Sequence, residues 1–417
     1  MTAPAAIYAV PQGATTLTRM PPAYLWLAGL VMATGSTVFV EPAPYDVALV
    51  LLLGAGVVLR RFWFHASHRL PAALVLCFLA ANLLSLTQAT DLPAALKYLS
   101  VNAYMTVCWL FFVGITSAHG YRAVLVLMRG YTLAGVLAVA LSAFAFFGVI
   151  RDQSLLLGSG RAQGLFKDPN VYGPYLVPML LFALAQLQGN RLRGYRFLLG
   201  LAVCAISAMG LFLSYSRAAW IDGGVAILCF FGLQTVWGII TRQISKGLLY
   251  SILFVVALAG AVVFIGASSS TPMGRMLAVR IGDSGLQNYD ATRFETHRKA
   301  FDTAMQKTIG VGPGQSELLF QLATHNMYLR ILTENGILGF LALYGFFLLS
   351  FLRAGKGALS LADKSQRDLF ALVFACLLGT WINGLVIDTI HCRHLWFLLG
   401  LAWWVPRMGG DPEGAQP

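Results

Sequence analysis

His325-Asn326-Met327-Tyr328-Leu329 follows the longest polar stretch of the chain and opens a new membrane-length apolar run. That position sets an imidazole at a boundary between water and membrane, beside a loop rich in arginine. Histidine, with an unperturbed pKa of about 6.5, is the side chain best suited to accept a proton at neutral pH. Arginine holds phosphate and other anions through a planar fork of N–H donors. The pairing suggests proton abstraction next to a bound anion. The competing reading is a histidine that only caps or packs a helix boundary.

The elements that position these residues follow from composition. The chain has 417 residues, of which 58% are hydrophobic and 11% charged, and a mean hydropathy of +0.72. Soluble domains carry about 25% charged residues, so the expected class is an all-α polytopic membrane protein. Twelve apolar runs fall at about 23–40, 45–59, 71–89, 97–117, 121–150, 170–188, 197–214, 218–240, 248–267, 326–352, 369–387 and 394–406. Residues 23–407 then form one transmembrane domain, between a cytoplasmic tail at 1–22 and a disordered tail at 408–417. The first run lacks a cleavage site and reads as a retained anchor.

Short loops orient the spans. Arg60, Arg61 and Arg69, then Arg191, Arg193 and Arg196, then Arg242 and Lys246, then Arg353, Lys356, Lys364 and Arg367 fall on one side. The opposite turns carry Glu41, Asp46 and Asp91, with no base before Lys97. By the positive-inside rule the basic side is cytoplasmic, with both termini there. The outer face receives residues 151–169, the tight turn at Arg217, and the long loop 268–325. Phe294, Phe301, Ala304 and Met305 recur in that loop at helical spacing, which suggests a helix on the membrane surface.

The net charge of +12 fits both topology bias with lipid contact and an anionic substrate. Placement is more telling, because Arg151, Arg161, Lys167, Arg217, Arg275, Arg280, Arg293, Arg298, Lys299 and Lys307 all map to the outer face. Arg217 lies between two apolar spans, where it either snorkels to lipid phosphate or serves a ligand. Asp168 and Pro169 carry the signature of a helix start, leaving Lys167 and Asn170 to face a ligand. Gly310-Val311-Gly312-Pro313-Gly314 either offers N–H groups to phosphate or makes a plain turn. Arg330 and Glu334, spaced i, i+4, neutralise each other within the span.

Other chemistries lack their residues. The six cysteines show neither C-x-x-C nor zinc spacing. His391 and His394 lack a third metal ligand, and the bases form no nucleic-acid stripe. Asp-x-Asp, H-E-x-x-H, Walker and G-x-S-x-G motifs are absent. Outer-face chemistry is thus expected to use no nucleotide, metal or other cofactor, with arginines neutralising a diphosphate.

The Gly164-Leu165-Phe166-Lys167-Asp168-Pro169-Asn170 run, Ser214-Tyr215-Ser216-Arg217-Ala218, Arg293, the Gly310–Gly314 run and the His325–Leu329 block with Glu334-Asn335-Gly336 occur in this order. Together they resemble the O-antigen ligase (WaaL) family, within the O-antigen ligase/Wzy polymerase superfamily. The resemblance implies a GT-C-like glycosyltransferase of the Gram-negative inner membrane, working at its periplasmic face. The donor would be a polysaccharide on undecaprenyl diphosphate and the acceptor a sugar hydroxyl of lipid A–core. By position, His325, Arg217 and Arg293 match the family's catalytic residues. Arg161, Lys167, Asn170, Ser216, Arg298, Gly312, Gly314, Asn326 and Tyr328 are expected to contact diphosphate or glycan.

Three alternatives stay open: an O-antigen polymerase, a protein O-oligosaccharyltransferase, and a transporter of lipid-linked glycan. The second usually carries further C-terminal sequence. The third usually places its ionisable residues near the bilayer midplane and shows internal repeats.

Overall fold

The computed structural model describes residues 22–189, 194–242, 246–266, 274, 285–320 and 324–406. Arg191, Arg193, Arg275, Arg280, residues 1–21 of the expected N-terminal tail and the expected C-terminal tail lie outside these residues.

The fold is mostly helical. In chain order the helices are α1 (Pro22–Ala33), α2 (Pro44–Val58), α3 (Arg69–Ser85), α4 (Leu92–Phe146), α5 (Pro169–Gly189), α6 (Tyr195–Leu213), α7 (Arg217–Ile240), α8 (Lys246–Gly266), α9 (Gly285–Gln306), α10 (Ser316–Leu319), α11 (Met327–Ser360), α12 (Lys364–Asn383) and α13 (Arg393–Ala402). A two-residue antiparallel hairpin pairs Leu157 with Ala162.

Each of the twelve apolar runs falls on a helix, two of them on α4. Among the described residues, six helical segments are long and apolar enough to cross a membrane: Ala66–Gln88, Leu92–Phe146, Pro169–Gln188, Tyr195–Leu213, Arg217–Ile240 and Met327–Ser360. Others fall short for visible reasons. The 12 residues of α1 rise only about 18 Å against a hydrocarbon thickness of about 30 Å. α12 opens with Lys364, Arg367 and Asp368.

A straight helix of the length of α4 would run about 80 Å. It breaks instead at Gly120 (φ 60°, ψ −148°) and returns. Asp91, just before it, donates its N–H to Gln315 (2.9 Å). Gly114 accepts from the Trp63 N–H at the far end (3.3 Å), and Ala138 on the second arm packs against Gly164. The Gln315 and Gly164 neighbourhoods share one end of the bundle, here termed the His325 end. At the opposite end the Trp403 carbonyl takes His68 Nε2 (3.0 Å), and the Arg353 and Arg367 guanidiniums lie over the Trp403 and Trp237 rings.

α11 also breaks, at Gly336 (φ 66°, ψ −171°), a region open essentially to glycine alone. The break frees the Thr333 and Glu334 carbonyls to accept from the Val311 and Gly312 N–H groups (2.9 and 3.0 Å). The Ile337 N–H donates to the Thr308 carbonyl (3.0 Å). A Cβ on Gly336 would lie 2.2 Å from the Thr308 oxygen. Gly339, by contrast, packs closely against Ala81 of α3. Gly336→Ala is therefore expected to cost about 2–4 kcal/mol, from backbone strain plus steric overlap. A thermal midpoint equal to wild type in detergent would overturn this account.

α9 corrects one expectation about a helix face. Ala304 does not align with the other apolar residues of the loop. With Thr296 and Ala300 it is buried toward the bundle, while Phe294, Phe301 and Met305 are exposed on another side.

Candidate active site at the His325 end

Three segments at the His325 end carry the expected site residues, each held by contacts to backbone groups. The first is the Asp168-Pro169-Asn170 start of α5. The Asp168 carboxylate accepts from the Asn170 N–H (2.8 Å), an N-cap over a Pro-initiated helix. Arg161 is buried; its Nε donates to the Ser214 carbonyl (2.8 Å) and its Nη2 to the Asn170 side-chain oxygen (2.8 Å). It thereby staples this segment to the α6–α7 turn. Lys167 reaches away and pairs with Glu41 (2.6 Å), both side chains being about half exposed. That hydrogen bond is the main cause holding the Glu41 carboxyl below its ordinary range.

The second segment is the turn before α7. Tyr215 is in the left-handed region (φ 46°) and is buried against Phe146, Phe212 and Trp220. The Ser216 hydroxyl caps α7 by accepting the Ala219 N–H (3.3 Å). This local role differs from the ligand contact expected of it. Arg217 stands exposed at the first position of α7, with no hydrogen bond or ion pair among the described residues.

The third segment is the His325 block. Asn326 caps α11, its Oδ1 accepting from the Leu329 N–H (3.0 Å). Behind it, three successive carbonyls form a clamp. Gly384 accepts the Met327 N–H (2.9 Å) and Leu385 accepts Asn326 Nδ2 (3.0 Å). Val386 accepts Arg293 Nη2, and the same Arg293 nitrogen donates to the His325 carbonyl (3.0 Å). One turn along α9, His297 Nε2 donates to the Thr324 carbonyl (2.7 Å). His325 is thus held in the left-handed region (φ 43°), unusual for a side chain with a Cβ.

The imidazole is half-buried. Burial first, then the Arg293 charge, lowers its pKa below 6.5, against the opposing pull of Asp168, Asp388 and Glu317. The electrostatic reach of Asp168 to His325 ties the α5 start to the histidine block. Arg298, five residues past Arg293 and so about 140° round the helix, is exposed away from this contact. The Tyr328 hydroxyl donates to the Trp381 carbonyl (2.8 Å) while its ring stacks on Tyr344.

The glycine run departs from the expected phosphate cradle. Its residues are buried, and the Gly312 N–H goes to the Glu334 carbonyl. The Gly314 N–H goes to the Glu334 carboxylate (2.7 Å). Both donors are already taken within the fold. The positive φ values at Gly310, Gly312 and Gly314 shape the loop to the α11 break.

Under that loop lies a buried charge cluster only half visible in the sequence. Arg330 pairs with Glu334 (3.2 Å), as the i, i+4 spacing suggests, but also with Glu317 (3.2 Å) and Asp388. Its guanidinium lies 4.7 Å from the Tyr98 ring centroid. Burial works to raise the Asp388 carboxyl, but Arg330 and His391 outweigh it and hold the group below its ordinary range. His391, half-buried beside them, is pushed down to about 4 by desolvation, and its Nε2 donates to Asn102 (3.0 Å). No group of three metal-ligating side chains occurs among the described residues.

Sequence reasoning missed the Asn383–Asp388 segment, which supplies the clamp and the second carboxylate for Arg330. Its signal was Asp388 at the end of an apolar run, three residues before His391.

Residues 202–344 match the model of a family described as O-antigen ligase. The matched region spans α6 to the first part of α11, and so includes Arg217, Arg293, the glycine run and the His325 block. No curated protein matches the chain.

Proposed function

We propose that this chain, which matches the O-antigen ligase family over residues 202–344, is a member of that family and transfers a polysaccharide from undecaprenyl diphosphate to a sugar hydroxyl of lipid A–core. The observation that carries the reading is a half-buried, neutral-favouring imidazole whose own carbonyl binds Arg293. In the proposed topology the chain crosses the inner membrane twelve times, with both termini cytoplasmic and the His325 end in the periplasm.

The acceptor hydroxyl oxygen attacks the anomeric carbon as the bond from that carbon to the diphosphate oxygen breaks. The hydroxyl proton passes to His325, and the configuration inverts. A sugar hydroxyl is a weak nucleophile at neutral pH, so a positioned base contributes to the barrier. The departing lipid diphosphate gathers negative charge, which Arg293 offsets from its anchored position and Arg217 through its exposed guanidinium. Arg217 acts from the N-terminus of α7, where helix N–H groups also favour anions. The reaction as written calls on no metal ion.

The test gives purified protein a lipid-diphosphate glycan together with lipid A–core or a peptide acceptor, in excess chelator. Enlargement of lipid A–core alone is expected. Growth of the glycan on its own lipid carrier would make the protein a polymerase, and a glycosylated peptide would make it a protein-directed transferase. Translocation without transfer would make it a transporter, and activity restored only by added divalent ion would overturn the metal-free step.

A further inference from the structure

At the end of the bundle opposite His325, a cavity of about 150 Å³ opens between α1 and the second arm of α4, lined by Leu25, Trp26, Arg122, Leu125, Val126 and Arg129. The two helices meet closely beside it. A Cβ on Gly130 would lie 2.1 Å from the Gly29 carbonyl oxygen, and one on Gly29 would lie 2.9 Å from Val126. Arg122 and Arg129 are both exposed, and neither makes a hydrogen bond or ion pair with a described residue. Seven residues separate them, two helical turns, so both stand on one face of α4 about 10 Å apart.

Their surroundings distinguish this pair from ordinary solvated bases. Arg129 lies about 13 Å along the helix from the break at Gly120, in a segment apolar enough to span a membrane. An unpaired guanidinium at such depth is costly unless an anion or water meets it. The same face continues through Leu133 and Leu137, both about half exposed, and Trp26 is 60% exposed beside the cavity. Cationic donors at one end, an indole at the rim and an apolar stripe beyond match a phospholipid, with its phosphate on the arginines and its chains along the leucines. Basic pockets between membrane helices hold anionic headgroups in this way.

We propose that the α1–α4 cavity binds the headgroup of an anionic phospholipid, with Arg122 and Arg129 each donating to phosphate. The two-turn spacing favours a lipid carrying two phosphates over one carrying a single phosphate.

Native mass spectrometry of the detergent-solubilised full chain tests the site, using diphosphatidylglycerol, phosphatidylethanolamine and inorganic pyrophosphate as probes. Wild type should retain diphosphatidylglycerol in preference to phosphatidylethanolamine. The Arg122→Gln/Arg129→Gln variant should bind it roughly thirtyfold more weakly, since each base near an anionic lipid surface contributes about a factor of five. Equal retention of the two lipids by wild type overturns the proposal without recourse to any variant. So does undiminished binding by the variant. Displacement of the lipid by pyrophosphate at equal concentration would assign the arginines to a soluble anion instead.

Discussion

If His325 is the base of the proposed transfer, His325→Ala should lower glycan transfer by roughly 10²–10⁴-fold, the usual contribution of a positioned general base. The loss should fall on kcat with little change in donor KM, because Arg293 binds the main-chain carbonyl of residue 325 and not its ring. His325→Asn is the stricter variant. Asparagine tolerates positive φ better than alanine, so it keeps the backbone turn while losing the base. Full transfer by purified His325→Asn would sink the assignment.

The pH profile checks the same group from another side. In the proposed mechanism the neutral imidazole is the active form, so activity should rise with pH as His325 loses its proton. Burial and Arg293 both lower its pKa, so the acid limb of kcat/KM should lie below pH 6.5, the ordinary value. Arg293→Gln removes the second cause and should move the limb of the residual activity upward. A wild-type limb at or above 6.5, or one indifferent to Arg293, contradicts the assignment.

Local signals in the sequence proved readable where a contact lies within a few residues. The Asp168-Pro169 start and the Arg330–Glu334 pair are of this kind, and the break at Gly120 falls between the two apolar runs it separates. Signals failed where one local pattern serves two tertiary partners. Glycines at positive φ suit a phosphate cradle and a tight loop equally, and only the arrival of Glu334 beneath Gly312 and Gly314 distinguishes them. Leu385, Val386 and Ile387 read as the end of a span, yet α12 stops at Asn383. The carbonyls that follow are needed by Met327, Asn326 and Arg293, partners that no spacing within α12 reveals. Arg330 shows the same limit, because Asp388, Glu317 and Tyr98 reach it from distant parts of the chain.

Arg330→Met should destabilise the protein by about 3–5 kcal/mol, the usual cost of removing one partner from a buried ion pair. One cation here faces the carboxylates of Glu317, Glu334 and Asp388. Glu317 is partly exposed (43%) and can turn to solvent, whereas Glu334 (4%) and Asp388 (16%) cannot. Glu334 would keep the Gly314 N–H and the Ser316 hydroxyl, and Asp388 would keep the Ile390 N–H (3.2 Å). Glu334 would keep no counter-charge, and Asp388 would keep only His391, whose protonated form burial disfavours. The penalty thus arises from the charges left behind more than from the arginine lost. Arg330→Met/Glu334→Gln/Asp388→Asn should accordingly recover most of the stability, since removing all members of a buried ionic set together is often near neutral. Thermal midpoints in detergent decide the matter. A triple variant no more stable than Arg330→Met would mean that the arginine contributes through its packing on Tyr98 and not through its charge. Transfer measured on the triple variant then isolates the loop, because Asp388 closes the segment whose carbonyls hold Asn326 and Arg293. Restored stability with activity still depressed would show that the charge cluster sets the position of the His325 block as well as supporting the fold.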